Sequence, residues 1–103
     1  MSKYKAKPTV IEGIRFASKK EGARYLELRL LEKAGEITDL SLQPVIHCNV
    51  GGEHVCDYRA DFFYIDRRNP VGTWEDCKGF RTQVYKLKAK LVKACTGIEI
   101  KET

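Results

Sequence analysis

Four punctuating residues constrain this chain most. Ser18 stands three residues before Glu21, the S-x-x-E pattern of a capping box, and Gly35 stands where a helix begun there would stop. Thr82 and Gly97 bracket a second segment in the same way. Between the two, residues 36–78 are rich in β-branched and aromatic residues and are cut by turn residues at 49–53 and 67–70. The order is helix, three strands, helix, strand. That order predicts an α/β or α+β domain with a mixed sheet.

Each element has a predicted extent. Residues 9–17 read as a short N-terminal hairpin turning at Glu12-Gly13. The first helix offers Ala23, Leu26, Leu30 and Ala34 as its apolar set, with Tyr25, Leu28 and Leu31 widening the stripe. Strands follow at 36–47, 54–65 and 71–78, and Pro44 makes the far end of the first an edge or a bend. The second helix runs from Thr82 to about Cys95, with Val84, Leu87, Leu91 and Cys95 as its predicted buried stripe. Lys86, Lys90 and Lys93 share another face of it. Residues 98–100 form a last short strand.

A chain of 103 residues is one domain, spanning 1–103, with residues 1–8 expected to be a flexible basic arm. Hydrophobic residues make up 43% and charged residues 32%, a globular balance. No apolar run approaches the roughly 20 residues of a membrane span. The lysines near the N-terminus are not followed by an apolar segment, so no secretory signal is expected. The expected location is the cytoplasm. Cys48, Cys56, Cys77 and Cys95 lack C-x-x-C spacing and read as thiols.

The net charge of +5 favours an anionic partner. The cations gather at the two ends. Lys19 and Lys20 lie before Glu21, and Arg81, Lys86, Lys90 and Lys93 follow Gly79, while the acids lie between. Such a layout suits a surface that holds a nucleic-acid backbone around a cation site, so DNA is the expected partner.

Asp76-Cys77-Lys78 is the densest chemistry in the sequence. On a strand, residues two apart share a face, so Asp76 and Lys78 project together. A carboxylate can hold a hard cation and the amine can meet a water or a phosphate oxygen. Asp61 lies on the preceding predicted strand, and two carboxylates repel unless a cation or a proton sits between them. Magnesium takes oxygen ligands and commonly uses only one or two carboxylates. Glu21 is the third candidate, either as a helix cap or as a ligand, and Glu27 is an alternative expected in solvent.

Other readings stay open at this point. Glu75 competes with Asp76, since a β-bulge would exchange their faces. Gln43 is a candidate for phosphate or for a cation-bound water. Trp74 suits either core packing or base stacking. His47, Cys48, His54 and Cys56 invite a zinc reading. A two-residue turn at Gly51-Gly52 would set His47 opposite Cys56 and leave Cys48 on the other side, so four ligands would not converge.

Phe16-Ala17-Ser18-Lys19-Lys20-Glu21, then Ala60-Asp61-Phe62, then Asp76-Cys77-Lys78-Gly79 together resemble the PD-(D/E)XK nuclease superfamily. The likeness runs from about Phe16 to Ile100. It is nearest to small phage and prophage proteins and is similar in motif order to phage Holliday-junction resolvases of the endonuclease I type. The resemblance implies a restriction-endonuclease-like αβββαβ core. It implies a metal-dependent endonuclease acting on DNA, branched or junction DNA included, within the host cytoplasm. It implies Glu21, Asp61, Asp76 and the Cys77 carbonyl as ligands of magnesium or manganese, with Lys78 orienting the attacking water. Hydrolysis would leave a 5′-phosphate and a 3′-hydroxyl. Ala60 stands where the superfamily has proline, and Asp76 where glutamate is commoner. Symmetric cutting of both strands would need a homodimer. The alternative is a DNA-binding phage accessory protein without catalysis.

Overall fold

The computed structural model describes residues 7–77 and 81–103. The predicted basic arm lies mostly outside them, as does Lys78.

Both helices start and stop where the punctuation predicts. Helix α1 spans Lys19–Lys33. The Ser18 hydroxyl accepts the Glu21 main-chain N–H at 3.1 Å. At the other end the Gly35 N–H donates to the Glu32 carbonyl and the Glu36 N–H to the Leu31 carbonyl, a Schellman closure that uses the positive φ of Gly35. Helix α2 spans Gln83–Thr96, capped by the Thr82 hydroxyl and ended by Gly97 in the left-handed conformation.

The buried faces differ from the predicted ones. On α1 the buried residues are Glu21, Gly22, Tyr25 and Leu28, while Leu26 and Leu30 face solvent. The sequence offered two apolar stripes. The inward one also carries Glu21 and Arg24, whose charged groups find partners in the sheet, so polarity hid the true face. On α2, Val92 is buried while Val84 and Leu87 are exposed. The helix is turned so that Tyr85 packs against Tyr58, ring centroids 6.1 Å apart, and its hydroxyl donates to Glu102 at 2.7 Å.

The strands are β1 Thr9–Ile11, β2 Ile14–Phe16, β3 Ile37–Leu42, β4 Val45–Val50, β5 Glu53–Arg59, β6 Phe62–Asp66, β7 Asn69–Asp76 and β8 Ile100–Glu102. Strands β1 and β2 form the expected hairpin, and Gly22 lets α1 approach it: a Cβ there would stand 2.7 Å from Thr9 Cγ2. The main sheet runs β3-β6-β7-β8. The first three strands are antiparallel. Strand β8 joins β7 in parallel, which requires a crossover, and α2 supplies it. The fold is α+β with a mixed sheet, and α1, β3, β6, β7, α2 and β8 follow in αβββαβ order.

Two predicted strands each break in two. The 36–47 segment becomes β3 and β4, and the 54–65 segment becomes β5 and β6. The four pieces are one long hairpin with a bend. The Gln43 N–H donates to the Asp61 carbonyl at 2.9 Å and the Ala60 N–H to the Pro44 carbonyl at 3.0 Å, so the pairing register passes through the break. Pro44 contributes no N–H there, and Gln43 takes a positive φ of 51°. The bend folds β4 and β5 away from the main sheet and onto α2.

The sheet therefore has two cores. On one face Phe62 and Tyr64 pack with Phe16, Tyr25, Leu28 and Ile37 beneath α1. On the other, Trp74 and Ile100 pack against Ile46, Cys48, Tyr58, Ala60 and Val92. Trp74 is thus a packing residue. Among the described residues no helix is long and apolar enough to cross a membrane.

Candidate functional site

Asp61 sits in the bend, one residue before β6, and Asp76 closes β7. The two are locked together through main chain. The Asp61 N–H donates to Asp76 Oδ1 at 3.0 Å, and the Cys77 N–H donates to Asp61 Oδ2 at 2.7 Å. The Asp61 N–H also reaches the Glu75 carbonyl at 3.0 Å. Each carboxylate is held by the other's segment, which aims both at the end of the sheet.

Glu21 comes to the same place from the first turn of α1. Its main-chain N–H makes the Ser18 cap while its carboxyl hydrogen-bonds Asp61, so cap and cluster coexist. Its side chain is buried, with 6% exposure. Burial, then the charge of Asp61, the bond to Asp61 and the charge of Asp76 push its pKa up to about 7. Glu21 therefore keeps its proton to a higher pH than an ordinary glutamate does. The Cys77 main chain lies beside Asp61; its thiol is 3.3 Å from the Thr103 hydroxyl, and burial raises the thiol's pKa.

Glu75 and Asp76 are adjacent, both fully buried, and on opposite faces. Glu75 points toward α1. Arg24 Nε and a terminal guanidinium nitrogen donate to its two oxygens at 2.6 and 3.0 Å. The Tyr64 hydroxyl adds a bond of 2.7 Å and the Thr103 hydroxyl one of 3.1 Å. Burial alone would raise the Glu75 pKa, but Arg24 and Tyr64 outweigh it and hold the pKa below the usual value. Burial and the bond to Glu75 in turn push Tyr64 up to about 12. Glu75 is a neutralised structural anion, and Asp76 is the one beside Asp61. Arg24 was not singled out from the sequence. Its signal is its place three residues after Glu21, on the face that continues to Tyr25 and Leu28. Glu27 is exposed and lies near Arg24 at 3.8 Å.

The candidate phosphate-holding cations sit in the first turn of α1, just before α2 and along α2, with Lys93 toward the start of β7. Lys19 and Lys20 are exposed in the first turn of α1. Lys86 and Lys90 are exposed on α2 and line an open groove of about 380 Å³ together with Arg81, Tyr85 and Glu102. Arg81 pairs with Glu102 at 3.2 Å and Lys93 with Glu99 at 2.7 Å. Gln43 is exposed on the bend, joined to Asp61 through the main chain. Lys78, the predicted water-orienting amine, lies outside the described residues.

The His-Cys zinc set does not form. Cys48 pairs directly with Cys56 across the hairpin, and Cys48 is buried in the core, where desolvation raises its pKa. All four cysteines are free thiols. The expected register is corrected by a bulge between Cys48 and Asn49, which sets His47 opposite Asp57 rather than Cys56. His47, His54 and Asp57 gather on the exposed side. Their candidate ligand atoms all lie within 4.8 Å, and no other group of three in the described residues is that close, so Glu21, Asp61 and Asp76 are spaced more widely.

No curated protein and no solved structure matches this chain. A family model described as "Protein of unknown function (DUF1064)" matches residues 1–99. With nearly its whole length covered, the chain belongs to the DUF1064 family.

Proposed function

We propose that this protein is a magnesium- or manganese-dependent DNA endonuclease, with Glu21, Asp61 and Asp76 as the acidic residues of its site. One observation carries the reading: the reciprocal clasp of Asp61 and Asp76 at the ends of adjacent strands, with the Glu21 carboxyl bonded to Asp61. The αβββαβ order supports it, because the same elements carry the three acids in the superfamily that the sequence resembles.

Asp61, Asp76 and Glu21 would hold the cation, and magnesium in such a set would keep several of its waters. The bound cation would lower the pKa of a water and offset charge on the phosphate. The chain's own residues do the rest. The clasp fixes both carboxylates before the metal arrives. Glu21, whose pKa is raised, would release its proton on binding the cation. Lys78 would stand beside the attacked phosphate, and Lys19, Lys20, Arg81, Lys86, Lys90 and Lys93 would hold the DNA backbone. Action on both strands would use a second copy of the chain, in the cytoplasm of the host cell.

Cleavage of four-way junctions, flaps and plain duplex by the full chain with and without magnesium tests the proposal. Magnesium-dependent nicking that Asp61→Ala and Lys78→Ala abolish supports it. Salt-sensitive DNA binding without cleavage by the wild type would favour the accessory-protein reading. Equal cleavage by wild type and both variants would remove the site.

A further inference from the structure

We infer that His47, His54 and Asp57 form a second cation site, on the outer face of the β4-β5 hairpin, for a borderline-soft divalent metal such as zinc. The site is separate from the Glu21-Asp61-Asp76 cluster and does not depend on the nuclease reading.

The bulge makes it. His54 and Asp57 are three residues apart on β5 and would face opposite sides of a regular strand. The register shift between Cys48 and Asn49 leaves Val55 without a partner across the ladder and turns His54 onto the side of Asp57. His47 comes from β4, directly opposite Asp57. His47 Nδ1 then lies 2.6 Å and His54 Nε2 2.7 Å from the same oxygen, Asp57 Oδ1. The imidazole centroids are 6.1 Å apart.

Two imidazole nitrogens and one carboxylate oxygen are a donor set that suits zinc, nickel or copper better than magnesium. Without metal, both rings must present N–H to one oxygen. A tetrahedral metal with bonds of about 2.0–2.2 Å would replace those protons and set the three atoms about 3.3 Å apart. The side chains are 66%, 55% and 52% exposed, so rotation of the side chains can supply that small spread. Their exposure also argues against a packing role. Arg59 and Lys88 line the groove beside His47 and Asp57; Lys88 donates to the Asp57 main-chain carbonyl at 3.3 Å, while Asp57 Oδ1 meets the two rings. Three protein ligands leave at least one position for water or an anion. The metal would tie β4 to β5 across the bulge.

Zinc titration of the chelator-stripped full chain by calorimetry, with cobalt(II) absorption as a second readout, tests this. One zinc per chain that depends on the two histidines is expected, with cobalt d–d bands free of thiolate charge transfer. His47→Gln and His54→Gln should each weaken zinc by about tenfold or more. No zinc binding by the wild type, unchanged affinity in both histidine variants, or a thiolate band placing the metal on cysteine would each overturn the assignment.

Discussion

Glu75 and Asp76 are neighbours in sequence, equally buried, and chemically alike, yet the fold treats them in opposite ways. Glu75 meets a cation that the protein itself supplies, held in the Arg24 fork with two hydroxyls. Asp76 turns to the other face and meets Asp61, with Glu21 close enough for both acids to raise its pKa. A buried carboxylate satisfied by arginine stabilises a fold. A cluster of carboxylates in which one keeps its proton to higher pH is what the proposed metal site would draw on. One strand end thus carries a structural anion on one face and a candidate catalytic centre on the other.

The contrast predicts different consequences for similar changes. Arg24→Met leaves Glu75 buried without its cation and should cost about 3–5 kcal/mol of stability, read by urea unfolding. A loss below about 1 kcal/mol would mean that the two faces are not distinct in this sense. Asp61→Asn should lower magnesium-dependent cleavage by at least about a hundredfold, ~2.7 kcal/mol in barrier, while the metal-free protein keeps its fold.

The two faces also differ in the sign of their pH response. Glu21 has its folded pKa raised from 4.5 to about 7. The stability tied to its protonated form is therefore complete below about pH 4.5 and lost as pH rises through 7, a fall of about 1–3 kcal/mol. Glu75 has its folded pKa lowered, so its contribution is present above 4.5 and lost on acidification. Unfolding measured from pH 3 to pH 8 without metal should show both trends. Glu21→Gln should flatten the upper limb only, and magnesium should do the same for the wild type.

The smallest effect concerns the bend. Gln43 holds a positive φ without being glycine. Gln43→Gly should stabilise the protein by about 0.5–1 kcal/mol through relief of that conformation. A drop in cleavage together with that gain would give the Gln43 side chain a role at the site.

Local chemistry was legible in the sequence, and long-range partnership was not. Ser18, Gly35, Thr82 and Gly97 marked helix ends because capping depends on a few adjacent residues. Which face of α1 turns inward depends on Asp61 and Glu75, forty and more residues away, so Tyr25 and Leu28 could not be told from Leu26 and Leu30 by period alone. The bend at Gln43-Pro44 had one visible sign, the proline, but nothing local showed that the other strand would break at Asp61. Glu75 and Asp76 lie on opposite faces, as alternation expects, because no register shift intervenes between Thr73 and Asp76 in β7. The His47-His54-Asp57 cluster was hidden for the opposite reason, a bulge that alternation does not anticipate.

The central claim is that Glu21, Asp61 and Asp76 would hold a catalytic cation in place of the proton that Glu21 keeps toward neutral pH. Calorimetric titration of magnesium near pH 7, in two buffers of different ionisation enthalpy, tests it most directly, run on His47→Gln to silence the hairpin cluster. The account predicts one magnesium per chain, proton release on binding, and loss of both signals in Asp61→Asn and Asp76→Asn. Magnesium binding that persists unchanged in both variants, or no binding to the parent, would contradict it.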